Sequence, residues 1–537
     1  MRALTALLCG LALALPFRDW HTSLPAWVAL SPMFWLVKVV ERRREALAYS
    51  AVFSLAWTAG AFWFLWPLAP PAMMALCIYV SLYYIAALLG VRWMARRSAR
   101  PIFGIAALWV LLEMLRATVP VFGFPWLLLG HSLLYSEHLR QGADLLGVYG
   151  LSFLIVAVNA WVAFIFWPMW VSKDKDRRAT TESMRVGSML ASLLLATFLY
   201  GELRIREIAP RLEAGPPIAV IQGNIREKLN RTYEQCEEQL RGHLEMHRQV
   251  AAQAKAGATE TPELICWAET MVPGSMNVDD WGKEFKAQVA ATGIPTLAGS
   301  NFAVSESNSA DSGAPQFRNT LYLIDGHGNE IYHYSKRRLV AFGEYVPFTQ
   351  DLPFMKLLRS ITRDQYLSGL EPSKILTIPP DGKTREGSAP YHVGLSICVE
   401  DIHPDIARQS ALAGADALLN VTNDGWFFDT CGPQAHLQAA AWRAIEVRRP
   451  LLRVTNTGRT VAVNPLGSMD LLLPEGASGT AVTRLWRYQP QAGVYGTTTL
   501  TMILGDLGAA LVFCTVFLTS LWLSWRKSQV DGLKKIK

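Results

Sequence analysis

Tyr391-His392-Val393-Gly394-Leu395-Ser396-Ile397-Cys398-Val399-Glu400-Asp401 is the stretch on which the reading of this chain turns. Val393, Leu395 and Ile397 alternate with smaller or polar residues, the period-two pattern of a strand with one buried face. Cys398 closes that strand, and Glu400 and Asp401 follow at once. A sulfur at the point where a strand gives way to a turn and a helix can be held rigidly and still remain open to a substrate. A lone cysteine is more often a small buried hydrophobe. The reactive reading therefore requires a base and an oxyanion stabiliser elsewhere in the chain.

Composition narrows the setting. The 537 residues are enough for several domains. Hydrophobic residues make up 51%, there are 19 Trp, and charged residues at 18% fall below the usual quarter, which argues for a membrane protein. The net charge of +7 sits between apolar runs and not in an aromatic-interleaved basic patch, which argues against nucleic acid as a partner. The seven cysteines are scattered, with Cys9, Cys77 and Cys514 in apolar runs and Cys236, Cys266, Cys398 and Cys431 in the polar part. No CxxC pair or Cys/His metal spacing occurs.

Seven apolar segments fill the first 203 residues, at approximately 3–17, 24–40, 47–66, 72–94, 102–118, 145–170 and 187–203, and an eighth lies near 500–525. A spanning helix needs about 20 mostly apolar residues, and most of these qualify. The first, with Arg2 and Ala12-Leu13-Ala14, also reads as a signal peptide. Arg42, Arg43 and Arg44, then Arg92, Arg96, Arg97 and Arg100, then Lys173, Lys175, Arg177 and Arg178 occupy alternate connections, and the tail ends Lys534-Lys535-Ile536-Lys537. The positive-inside rule then puts both termini in the cytoplasm. The expected organisation is a transmembrane bundle of about seven helices over 1–203, an outward-facing domain over 204–498, and a last helix with a basic tail over 499–537. Glu113 and Arg116, spaced i, i+3, can pair on one helix face, either as a structural ion pair or as a substrate contact. Trp126 lies in an aromatic re-entrant turn, Gly123 to Gly130, and reads equally as an interface anchor or a lipid contact.

The outward segment alternates strand and helix patterns. Strands are expected at 218–222, 264–267, 296–298, 317–325, 329–335 and 416–421, and helices at 230–257, 279–292 and 433–449. Asp325-Gly326-His327-Gly328 marks a hairpin, 304–315 a loop, and Thr457-Gly458 the turn of a strand pair. With neither GxGxxG nor a P-loop, the pattern predicts an α/β domain whose mixed sheet is covered by helices. Three of its segments end in polar residues that a strand pattern does not need: Cys266-Trp267-Ala268-Glu269-Thr270, Tyr334-Ser335-Lys336-Arg337, and the stretch ending at Cys398. A carboxylate can take a thiol proton, a thiolate can attack an acyl carbonyl, and an ammonium can stabilise the oxyanion that develops.

On these residues the outward domain resembles the nitrilase, or carbon–nitrogen hydrolase, superfamily, and the whole chain resembles the apolipoprotein N-acyltransferase family. The resemblance extends through Gln222-Gly223-Asn224-Ile225, Phe342-Gly343-Glu344-Tyr345-Val346-Pro347, Asn423-Asp424-Gly425-Trp426-Phe427, His436-Leu437-Gln438 and Arg453 to Thr457. It implies an α-β-β-α sandwich with Glu269 as general base, Lys336 as oxyanion partner and Cys398 as nucleophile. Glu344 then supports the lysine. Glu400 reads either as a further support or as an acid favoured at a helix N-terminus. This chain departs from the family pattern at Ala268 and Ala341, where proline is usual, and at Val399, where an aromatic is usual. Val399 and Trp426 are candidate substrate contacts. Residues 348–367, with Phe354 and Leu358, form an apolar arm with basic spots suited to a bilayer interface.

The activity implied is acyl transfer from a phospholipid to diacylglyceryl apolipoproteins at the bacterial inner membrane, with no metal or diffusible cofactor, by a monomer whose catalytic domain faces the periplasm. Two rivals stay open at this stage: a membrane-attached amidase in which water resolves the thioester, and a catalytically idle lipid- or lipoprotein-binding module.

Overall fold

The computed structural model describes residues 1–18, 22–67, 70–97, 101–167, 177–226, 231–304, 316–347, 366–369, 375–380, 389–427, 429–488 and 498–534. The chain divides into two compact units, Met1–Glu207 with Thr499–Lys537, and Ile208–Thr498.

The first unit is helical. It contains α1 (Arg2–Ala14), α2 (Leu24–Val28), α3 (Leu30–Val39), α4 (Arg43–Ala61), α5 (Pro70–Arg97), α6 (Ile102–Thr118), α7 (Ala143–Trp161), α8 (Arg177–Ile208) and a last helix over Leu500–Lys534. Among the described residues, four stretches are long and apolar enough to cross a membrane: Pro70–Arg97, Leu139–Phe166, Ser183–Arg211 and Leu500–Arg526. The third and fourth keep little of their apolar surface inside the protein. Leu195, Phe198 and Leu199 on one, and Leu507, Leu511 and Leu518 on the other, lie exposed, a surface that suits lipid.

Glu113 and Arg116 do not pair with each other as their spacing suggests. Glu113 Oε1 accepts from the Leu129 amide at 2.9 Å and from Trp109 Nε1 at 3.2 Å, while Arg116 Nη1 donates to the carbonyls of Phe124 and Trp126 at 2.8 and 2.9 Å. The physical reason is the irregular stretch after α6, whose backbone groups need partners inside an apolar interior. Trp126 is buried in this unit against Phe64 and Phe124.

The second unit holds two six-stranded sheets, where the strand pattern alone predicts one. The first runs in the order β12 (Gly479–Tyr488), β1 (Leu212–Gln222), β2 (Leu264–Trp267), β3 (Thr296–Val304), β4 (Gln316–Ile324), β5 (Glu330–Ser335). The second runs β11 (Met469–Leu473), β10 (Thr460–Val463), β9 (Leu451–Thr455), β8 (Ala417–Thr422), β7 (Tyr391–Ile397), β6 (Ile375–Ile378). The strands that escape sequence reading are β6, β11 and β12. β6 is four residues long, and β12 is recruited by antiparallel pairing with β1, more than 250 residues upstream, which no local period announces.

Alternation then builds the layers. Ile218 and Val220 of β1 face the interior between the sheets with Leu264, Leu321, Val393, Leu395, Leu419 and Leu452. Ala219 and Ile221 face the other way, against Leu240 and Leu244 of α9 (Tyr233–Lys255) and Phe285 and Val289 of α10 (Asp280–Thr292). The second sheet carries α11 (Pro404–Leu412) and α12 (Gly432–Val447), giving an α-β-β-α order. Strands β1, β2 and β3 run parallel, as do β7, β8 and β9. In such sheets the carboxyl ends of the strands are where functional loops collect. Here those ends lead into Glu269 after β2, Cys398 after β7 and Asn423 after β8.

Candidate active site

Glu269 lies two residues beyond β2 and is 5% exposed. Its approach to the neighbouring strand demands a glycine: a Cβ at Gly299 would come within 2.4 Å of the Thr270 nitrogen and 2.8 Å of Glu269 Cα. The carboxylate is fully engaged. Oε1 accepts from Asn319 Nδ2 at 2.7 Å and from Lys336 Nζ at 3.4 Å, and Oε2 accepts from the Asn423 amide at 2.8 Å. Burial pushes this carboxyl above the usual range, with Lys336 and the Asn319 hydrogen bond pulling against it and Glu344 adding to the rise.

Lys336 follows β5 directly and is 1% exposed. Its amide donates to the Asn319 carbonyl at 2.8 Å, which pins the backbone beside β4. Its ammonium donates to Glu344 Oε1 at 2.8 Å as well as to Glu269. Burial opposes the charge on Lys336, yet Glu344, Cys398 and Glu269 outweigh it and hold the pKa well above the ordinary lysine value. Glu344 is fixed in turn, because its Oε2 accepts from the Val340 amide at 2.8 Å.

Cys398 opens a short turn, Cys398–Ile402, with φ of +51°, the left-handed region that side chains other than glycine rarely enter. That conformation costs roughly 1–2 kcal/mol. Thr270, next to Glu269, and Phe342, two residues before Glu344, share it at φ +55° and +64°. Backbone strain thus gathers at the candidate site, as it does at functional sites generally. The half-buried thiol lies in electrostatic reach of Glu269, Lys336 and Glu344. Burial pushes its pKa far up; Glu269 and Glu344 push the same way, and Lys336 lowers it. The sulfur therefore rests as a thiol. A thiol beside a carboxylate that can take its proton, with an ammonium nearby, can carry out nucleophilic acyl chemistry.

Glu400 joins two of these elements. Its Oε1 accepts from the amides of Arg337 and Arg338 at 2.6 and 3.0 Å, and its Oε2 accepts from Tyr334 Oη and the Ile397 amide at 2.8 Å each. It therefore ties the backbone after Lys336 to the backbone before Cys398. Val399 lies half-buried in the Cys398 turn, and Trp426 is exposed on the turn after β8. Trp126 belongs to the helical unit, and Phe354 and Leu358 lie outside the described residues. Sequence reading missed Asn319. Its signal is present, because 319 shares the parity of Leu321 and Leu323, which face the interior between the sheets. A polar residue on the buried side of a strand calls for a partner. Among the described residues, no group of three or more His, Cys, Asp or Glu is placed to hold a metal ion.

Comparison with known proteins agrees with this architecture. The profile described as apolipoprotein N-acyltransferase N-terminal domain matches residues 9–161, and that described as carbon–nitrogen hydrolase matches residues 217–487. An apolipoprotein N-acyltransferase of Geobacter metallireducens is 30% identical over 88% of this chain and 87% of its own. One from Bdellovibrio bacteriovorus is 31% identical over 81% of this chain and 78% of its own. Among solved structures, an amidase from Nesterenkonia sp. aligns at 20% identity over 51% of this chain and 90% of its own, with a TM-score of 0.35. From the match of both halves and the identity across most of the chain, the protein belongs to the apolipoprotein N-acyltransferase family, with a carbon–nitrogen hydrolase domain over 217–487.

Proposed function

We propose that this chain transfers an acyl chain from a membrane phospholipid to the α-amino group of the N-terminal diacylglyceryl-cysteine of apolipoproteins, through a thioester on Cys398. The observation that carries the reading is the Glu269–Lys336–Glu344 hydrogen-bonded group in electrostatic reach of Cys398, whose backbone is held at φ +51°. Glu269 takes the thiol proton as the sulfur attacks the ester carbonyl, and Lys336 donates to the oxyanion that forms. The carbon–oxygen bond then breaks, the proton passes to the departing alkoxide, and a lysophospholipid leaves. In the second half, the acceptor amine attacks the thioester and gives its proton to Glu269. The carbon–sulfur bond breaks, and the thiol is restored. Glu344 holds the ammonium in place, and Glu400 fixes the spacing of the Lys336 and Cys398 segments.

In this reading residues 1–203 and 499–537 form a bundle in the bacterial inner membrane and 204–498 face the periplasm, which follows from the distribution of basic residues. The catalytic domain then acts as a monomer on two lipid substrates at the bilayer surface. Val399 and Trp426 contact substrate, and the 348–367 arm with Phe354 and Leu358 admits it. The test is to reconstitute the full chain in phospholipid vesicles and map hydroxylamine-labile adducts by mass spectrometry. An acyl group on Cys398 that moves to a diacylglyceryl peptide supports the proposal. Release of free fatty acid with no peptide acylation would assign hydrolysis, and an adduct on Cys266 or Cys431 would move the nucleophile.

A further inference from the structure

Beneath the Cys398 turn lies a closed cluster of charge that the acyl-transfer steps do not use. Asp401, on the turn itself, Asp424 after β8, His436 on α12 and Arg453 on β9 are each at most 3% exposed. His436 bridges the two acids, with Nε2 2.9 Å from Asp401 Oδ1 and Nδ1 2.8 Å from Asp424 Oδ1. Arg453 reaches the same pair: Nη1 donates to Asp401 Oδ2, and Nη2 to Asp424 Oδ2 at 3.0 Å. Each imidazole nitrogen faces a carboxylate, and Nδ1 also lies 2.9 Å from Arg453 Nη2; flanked by two acids, the ring is favoured in its doubly protonated, cationic form. Two anions and two cations then cancel, which is the condition for keeping four ionisable groups out of water. The two carboxylates accordingly hold His436 above the ordinary histidine value, against burial and Arg453, which oppose the charge.

The cluster grips the nucleophile's turn at two points. One is the Asp401 side chain. The other is Asn420, whose Oδ1 accepts from Arg453 Nη1 at 3.0 Å and whose Nδ2 donates to the Cys398 carbonyl at 3.1 Å. An amide held at both ends fixes the direction of the Cys398 carbonyl, within a turn in which Cys398 has φ +51°. Close packing supports the grip, since a Cβ at Gly458 would come within 2.3 Å of Asp424 Oδ2.

Resting on the acyl-transfer reading above, we propose that His436, Arg453 and Asn420 are positioning residues that hold the Cys398 turn in its strained, reactive conformation through a buried, charge-neutral cluster. The charged groups facing the sulfur are Glu269, Lys336 and Glu344 from one side and Arg453 from the cluster. Those facing His436 are Asp401, Asp424 and Arg453. Replacing His436 by glutamine removes one cation, leaves the cluster with a net negative charge under the thiol, and loosens Asp401. Thiol ionisation should then move to higher pH, and acylation should slow.

The experiment measures the rate of Cys398 alkylation by a small water-soluble reagent against pH, and thioester formation from phospholipid, in the full chain in vesicles. In His436→Gln, alkylation near neutral pH should fall about tenfold or more, with its profile displaced to the alkaline side. Adding Asp424→Asn, which restores neutrality, should return the profile toward that of the unsubstituted chain. Asn420→Ser removes the amide's bonds to the Cys398 carbonyl, Ser396 and Arg453 but leaves every charge in place, so it should slow alkylation without displacing the profile; it also serves if the histidine variant does not fold. A profile and rate unchanged in both single variants, with only the melting temperature lowered, would reduce the cluster to a structural role and overturn the proposal. The two readings fail separately. If the unsubstituted chain never forms a thioester from phospholipid but His436→Gln still displaces alkylation, the transfer reaction falls and the positioning role stands.

Discussion

Exchanging Glu269 for glutamine separates the charge of the proposed base from its shape, and the structure gives the result a sign. The side chain has two settings. With its oxygen kept toward Asn319 Nδ2 and Lys336 Nζ, the new amide group faces the Asn423 N–H, and two donors meet. Turned over, it sets a donor against both Asn319 and the ammonium, which is worse. The first setting leaves one buried N–H unpaired, at about 1–3 kcal/mol of stability. Loss of a general base should lower the acylation rate by roughly 10²–10⁴. The thiol itself should respond the other way. Glu269 is a negative neighbour that raises the Cys398 pKa, so removing its charge brings thiolate in at lower pH. Lys336→Met should do the reverse, raising the thiol pKa while also suppressing acylation, because Lys336 lowers that pKa. The assay pairs a pH series of thiol alkylation with single-turnover acylation from phospholipid, on both variants in vesicles. Opposite displacements of the two alkylation profiles, with acylation lost in both, are expected. Displacements of the same sign, or a Glu269→Gln variant that acylates within threefold of the unsubstituted chain, would refute the assignment of base and oxyanion partner.

Glu400→Gln should cost stability and alignment together. The amide can keep both Arg337 and Arg338 N–H groups on its oxygen, and Tyr334 Oη can turn to accept, but the Ile397 N–H loses its acceptor, at about 1–3 kcal/mol in melting experiments. Acid lability should trace to His243 and His247, buried on α9 and held by burial at about 4 against an ordinary 6.5. The unfolded chain takes up protons below pH 6.5 and the folded chain only near 4, so stability is full above 6.5 and is lost as pH falls toward 4, by about 3 kcal/mol per ring. A melting temperature flat from pH 6.5 to 4.5, or a slope unchanged in His247→Gln, would contradict this. Finally, a cysteine placed at the exposed Asp280 should be labelled by a membrane-impermeant reagent in intact cells; labelling only after lysis would reverse the topology.

What could be read from the chain and what could not follow from the range over which each signal acts. The β7 alternation and the β4–β5 hairpin turn are local, and each stands close to where its residues suggest. Strand counting falls short at the sheet edges, because β12 of the first sheet is defined by its distant partner β1, and β6 of the second by β7. Of the candidate site, Glu269, Lys336 and Cys398 were legible as polar residues at strand exits. Their pairing was not: Asn319 meets Glu269 only once β2, β3 and β4 lie side by side, and the Asn423 amide only when the second sheet packs on the first. Glu113 and Arg116 teach the same lesson in reverse: spacing alone pairs them, yet the unsatisfied backbone beyond α6 claims both.

In the proposed reaction, the site's charge count lets one buried group of residues serve two different substrates. Glu269, Glu344 and Lys336 together carry one net negative charge, and Cys398 adds none while it remains a thiol. Such a resting state is inert toward passing electrophiles, because burial and both carboxylates disfavour a free thiolate. When the proton crosses to Glu269, the negative charge moves to sulfur and then to the oxyanion. Throughout, it stays in reach of the Lys336 ammonium, which Glu344 already holds at 2.8 Å. No charge is created or lost, so a low-dielectric site pays little to reorganise. The amine of the second substrate needs the same path in reverse, its proton arriving at a carboxylate whose pKa burial has raised. A base kept basic by its surroundings, and a cation that neither burial nor the reaction discharges, are what the two proposed half-reactions require. Cys398 is the acyl carrier in both proposed half-reactions, so a cluster that positions its turn should matter to both rates and not to acylation alone.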